Sequence, residues 1–168
     1  TAAGTITTTA TNLDIAALVI TDATTITTGS ATGGNLAITG AVTGTSNDNL
    51  TLVSGSGTTT VGGAVGAGAN ITTLTLQANV SQATGAVTFN GNVTAVTLTT
   101  FAQGHAVLLN EDAAITNDVT FLNTAGVTLG NAADDALTFT GGLSTVAGTT
   151  TAAGTITTTA TNLDIAAL

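Results

Sequence analysis

TAAGTITTTATNLDIAAL, residues 1–18, returns letter for letter as residues 151–168. Chance does not reproduce eighteen consecutive positions, so residues 1–150 read as one tandem unit and residues 151–168 as the opening of a second, identical one. With no initiator Met, no signal peptide and no charged tail, the segment reads as a window on a longer chain. Targeting signals and anchors are then expected outside it.

Inside the repeated stretch, Leu13-Asp14-Ile15 sets the local pattern of apolar, any, apolar, which is the period of a strand. The same triplet recurs at Leu36 to Ile38, Leu50 to Leu52, Leu74 to Leu76, Val96 to Leu98, Val119 to Phe121 and Leu137 to Phe139. The steps between anchors are uneven, shortest from Leu36 to Leu50 and longest from Leu137 to the repeated Leu163. Steps of about 20 residues are the length at which one supersecondary unit stacks on the next. Each step is therefore read as one turn of a β-solenoid, about seven turns per unit, and at ~4.8 Å per turn the unit would rise roughly 34 Å. The predicted core is the stacked set Leu13, Ile15, Leu36, Ile38, Leu50, Leu52, Leu74, Leu76, Val96, Leu98, Val119, Phe121, Leu137 and Phe139, with Phe89 and Phe101 filling wider parts.

The palette agrees with strands. Thr supplies 43 of 168 residues, while Lys, Arg, Pro, Cys, Met, Trp and Tyr are absent. Side chains branched at Cβ fit a pleated surface, and the residues that build exposed helices are nearly missing. Turns fall to Gly and Asn, as in Gly33-Gly34-Asn35 and Asn90-Gly91-Asn92. Asn or Asp directly precedes several anchors, at Asn12, Asn35, Asn49, Asn70 and Asp118, and turns in register would align these into a ladder of side-chain hydrogen bonds.

Stretches such as NLTLVSGSGTTTVGGAV (49–65) and LTFTGGLSTVAGTTTAAGTI (137–156) resemble the repeats of filamentous-haemagglutinin-type adhesins and autotransporter passengers. The resemblance covers the whole chain and is one of style. It implies a right-handed parallel β-helix in a giant secreted bacterial protein used for adhesion, surface coating or biofilm matrix. It brings no catalytic residue with it.

Charge excludes whole classes of partner. Nine acids and no base give a net charge of −9, and phosphate binding needs Lys or Arg, so no nucleic acid is expected. No apolar run approaches the roughly 18 residues that cross a bilayer, so this segment is not expected to insert into a membrane. Absence of Cys fits a secreted repeat protein whose stacked turns supply the core. Without Lys or Arg there is also no trypsin-type cleavage site.

The only His is His105, and with no Cys a zinc site or a Cys-His pair is unavailable. Two acidic pairs, Glu111-Asp112 and Asp134-Asp135, are the only carboxylates placed to cleave a polysaccharide or hold Ca²⁺. Without Trp or Tyr to stack on sugar, and without a repeated calcium-binding array, these read first as solvated turn charges with no cofactor, and Ca²⁺ held by Glu111, Asp112, Asp134 and Asp135 is the alternative. Threonine triplets such as Thr5-Ile6-Thr7, Thr25-Ile26-Thr27 and Thr97-Leu98-Thr99 could order water and bind ice, but only if aligned from turn to turn, which the unequal steps oppose. Asn-x-Ser/Thr triplets begin at Asn49, Asn70, Asn79 and Asn92. The expectation is a structural, non-enzymatic component of an extracellular or cell-surface fibre whose partners are adjacent identical repeats stacked end to end, with lateral self-association as a further contact. A binding module for a host, polysaccharide or ice surface is the alternative.

Overall fold

A computed structural model describes residues 1–69, 71–78, 82–159 and 162–168. Among them are nineteen strands and no helix. Every strand pairing is parallel. The chain forms a β-solenoid of about seven turns.

Each turn lays down three sides, and the register of each side follows from one inward column. On the first side Leu18, Val42, Val65 and Val93 stack, followed by Ala113, Leu137 and Ile156. On the second, Thr24, Leu50, Leu74 and Leu98 stack, and a further ladder carries Val119, Leu143 and Leu163. On the third, Leu13, Leu36, Thr59, Val87, Val107, Val127 and Thr150 are successive partners.

The uneven anchor steps follow from these sides. Leu36 to Leu50, the shortest, crosses from the third side to the second and is two-thirds of a turn. Val119 to Leu137 crosses from the second side to the first, again two-thirds. Leu137 to Leu163, the longest, is one turn and a third. Equivalent positions in the two copies of the repeated stretch are therefore six and two-thirds turns apart, where one step per turn had given seven.

Side chains of the core are apolar because period-two strands turn every second residue to the axis. Leu36, Ile38, Leu50, Leu52, Leu74, Leu76, Leu98, Val119, Phe121, Leu137 and Phe139 are buried, each worth roughly 1.5 to 3 kcal/mol relative to exposure. Leu13 and Ile15 are only half-buried, since they lie on an end turn with a partner strand on one side alone. Val96 is also half-buried and is not a core residue. The strand Val93–Thr99 bends round the corner between first and second sides, so its inward residues are Val93, Ala95 and Leu98, with two outward residues in succession at the bend. The strand Leu18–Thr27 makes the same bend and joins the two sides into one nine-stranded sheet. Phe101 sits half-exposed just past the second side, unlike Phe89, Phe121 and Phe139.

Differences in turn length collect at the corners, which leaves the sides in register. One corner, between third and first sides, is closed by Gly40, Gly63 and Gly91. A Cβ on Gly63 would lie 2.4 Å from the Gly40 carbonyl carbon, and one on Gly91 would lie 2.5 Å from that of Gly63. Backbones approach there with no space for a side chain.

Candidate functional site

The outward row of the second side is the most regular surface of the molecule. Thr5, Thr25, Thr51, Thr75 and Thr99 are direct partners on successive strands, so their side chains repeat at ~4.8 Å. One turn on, Thr120 takes the outward position of Val119–Phe121. That strand is held beside the turn below by the Leu122 N–H, which donates to Thr100 Oγ1 at 2.8 Å. Short second columns flank the row, Thr7 beside Thr27 and Thr73 beside Thr97. The outward row of the third side is mixed, running Asp14, Ala37, Thr60, Thr88, Leu108, Thr128, Thr151. Unequal anchor spacing had argued against aligned threonines; alignment survives because length varies in the loops and not in the strands.

The acidic residues do other work. Asp135 is buried, and its Oδ2 accepts the N–H groups of Asn131 (2.7 Å) and Ala132 (2.9 Å). Asp48 closes another corner in the same way, accepting from Thr45 and Ser46 at 2.8 and 3.1 Å. Asp112 Oδ1 accepts the Ala136 N–H of the next turn at 2.8 Å. Glu111 and Asp134 are exposed. Among the described residues no group of three or more His, Asp or Glu side chains is placed to hold a metal ion. The pairs Glu111-Asp112 and Asp134-Asp135 thus divide between turn closure and solvent.

The asparagine ladder is real over two steps. Asn12 Oδ1 accepts the Asn35 N–H (2.9 Å), and Asn35 Oδ1 accepts the Thr58 N–H (3.0 Å). Both residues precede third-side strands. Asn49 and Asp118 belong to second-side strands and another corner, so they cannot join; both are exposed, and Asp118 lines a shallow groove with Gly141, Ser144 and Asn162. Asn70 lies outside the described residues, as does Asn79, whereas Asn92 is exposed in a turn. A separate pair, Asn110 Nδ2 donating to Asn90 Oδ1 at 2.8 Å, closes a corner that precedes the first side.

Sequence reasoning missed a buried polar seam where the second side turns into the third. Gln77 is fully buried with φ of 53°. Its Oε1 accepts from Ser54 and Gly55 N–H (3.0 and 3.1 Å), and its Nε2 donates to Ser54 Oγ and Gly85 O (2.9 and 3.1 Å). Further up the same corner, Asn123 Nδ2 donates to the backbone oxygens of His105 (3.2 Å) and Gly126 (2.8 Å). The His105 ring is fully buried, neither nitrogen has a hydrogen-bond partner, and burial lowers its pKa from 6.5 to about 4. A catalytic histidine needs a hydroxyl or thiol on one nitrogen and an orienting acceptor on the other, and His105 has neither. No family model, curated protein or solved structure matches the chain.

Proposed function

We propose that the chain is a structural, non-enzymatic segment of a secreted or cell-surface fibre, of the adhesin-stalk, surface-coat or biofilm-matrix kind found in bacteria. One observation carries the proposal. The second copy of the repeated stretch continues the ladders of the first unit, with Thr155–Thr158 paired to Ala136–Phe139 and Leu163–Ile165 paired to Leu143–Thr145. An end turn exposes unpaired backbone groups, and tandem identity gives every internal turn a partner above and below. The resemblance to filamentous-haemagglutinin-type repeats supports the same role.

The threonine row supports a second reading, in which the second side binds a regular surface such as a polysaccharide or ice. Imaging and diffraction of fibres from the source cells test the first. A ~4.8 Å axial spacing in continuous rods is the expected result, and discrete globular particles would overturn it. For the second, an ice-recrystallisation or glycan-binding assay compares the chain with Thr51→Glu and Thr75→Glu; equal activity of both variants would exclude the face.

A further inference from the structure

Identical residues occupy different sides in the two copies of the repeated stretch. Ile6 is on the second side, paired with Ile26, whereas Ile156 is on the first, paired with Leu137. Leu13 is on the third side under Leu36, whereas Leu163 is on the second over Leu143. Leu18 is on the first side, paired with Val42. Its counterpart Leu168 follows Ala167, whose oxygen accepts the Thr150 N–H at 2.8 Å; Val127 N–H donates to Thr149 O in the same way, and Thr150 is the partner of Val127. Leu168 therefore falls on the third side. All three landmarks have moved by one side in the same sense.

From this geometry we infer that successive tandem units are rotated by one side of the three-sided rod, so that each unit turns its threonine row in a new direction. The inference rests on the tandem fibre proposed above. Its cause is arithmetic: six and two-thirds turns are twenty sides, and twenty is not a multiple of three. Three units make twenty whole turns and restore the starting direction. At ~4.8 Å per turn, one unit rises roughly 32 Å and the full cycle roughly 96 Å.

The rotation decides what kind of partner the threonine rows fit. A row on the second side is followed by Thr155 and Thr157 on the first side, paired with Ala136 and Thr138. A flat crystal face laid along such a rod would meet a row only at every third unit. Neighbouring rods of the same protein meet equivalent rows from three directions, which suits a coat or bundle of identical fibres.

Cysteine cross-linking of the whole chain tests the rotation, and the absence of native Cys leaves no competing thiol. Outward Ser144 and Asp164 are direct partners across the second side, within the Cα separation a disulfide spans. Without rotation Asp164 would instead sit over Thr151, where Asp14 stands on the third side. We expect Ser144→Cys/Asp164→Cys to close under mild oxidation and Thr151→Cys/Asp164→Cys to stay open. The pair Thr120→Cys/Ser144→Cys, partners one turn below, is the folding control. A disulfide in the Thr151 variant, or none in the Asp164 variants while the control closes, overturns the rotation and leaves the fibre proposal standing. An open control overturns both, because the second side itself would then not exist.

Discussion

Gln77→Ala is the sharpest test of the polar seam. Truncation removes both amide atoms from a fully buried position. The N–H groups of Ser54 and Gly55 lose their side-chain acceptor, and Gly85 O loses the amide donor. Ser54 Oγ keeps two other bonds, donating to Gly57 O and accepting from Thr59 Oγ1. Each buried group left unsatisfied costs about 1–3 kcal/mol, and releasing the long side chain returns up to about 2 kcal/mol of rotamer entropy. The left-handed backbone is shared by both variants and cancels, so with three groups left unsatisfied the net loss is at least about 1 kcal/mol. For a chain of this size that corresponds to a melting-temperature drop of at least roughly 2–4 °C. Thr128→Ala, an outward change on the third side, is the control and should move stability by less than about 0.5 kcal/mol. Because a solenoid opens turn by turn, exchange of the Ser54 and Gly55 amides is the local readout and should accelerate in the variant. Unchanged exchange at those two amides, together with a melting temperature like that of the control, would refute the seam as a stabilising element.

Gly63→Ala should cost about 1–3 kcal/mol by overpacking, since its Cβ would meet the Gly40 carbonyl carbon at 2.4 Å. Gly104→Ala, whose Cβ would meet a Thr84 methyl at 3.5 Å and the Ala83 oxygen at 4.0 Å, should be near neutral, and equal melting of the two variants would remove the closed glycine corner. For His105 the folded pKa of about 4 lies below the ordinary 6.5, so the unfolded chain binds more protons between those values and stability falls as pH drops. The contribution is full above pH ~6.5, declines by up to ~1.4 kcal/mol per pH unit, and is exhausted below about pH 4. His105→Leu should flatten the part of that decline between pH ~5 and 6.5; an unchanged pH profile would place the ring in solvent.

The strands were legible because period two is a local property. Leu36-Ala37-Ile38 and Leu137-Thr138-Phe139 need no knowledge of their neighbours to show which residues face inward. What depends on corners was not legible. Val96 and Leu98 form the same triplet on paper, but a bend between Ala95 and Leu98 sets Val96 outside. Asn12 and Asn49 both precede an anchor, and only knowledge of the side tells that Asn12 can reach Asn35 while Asn49 belongs elsewhere. Gln77 gives no signal at all, because a left-handed φ turns a polar side chain into a corner that no periodicity marks. Threonine alignment was hidden for the opposite reason: unequal spacing looks like disorder in the pattern until the excess residues are assigned to loops.

Each copy of the repeated stretch shows half of a junction between units. The first copy shows what lies above it: Ile6 against Ile26, Leu13 against Leu36, Leu18 against Val42. The second shows what lies below: Ile156 against Leu137, Leu163 against Leu143, and Leu168 registered to Thr150. In the proposed fibre the two halves describe one set of residues, so Leu13 would rest on the preceding unit's Leu143 and lie beneath Leu36. Leu163 is 50% exposed and Leu13 half-buried because each has only one of those neighbours here. A junction in phase would set Leu13 over Thr150, whereas a unit turned by one side sets Leu13 over Leu143 and Leu18 over Thr150. Rotation in the proposed fibre thus gives the half-buried Leu13 an apolar neighbour on each face and hands the hydroxyl to Leu18, which is already buried under Val42.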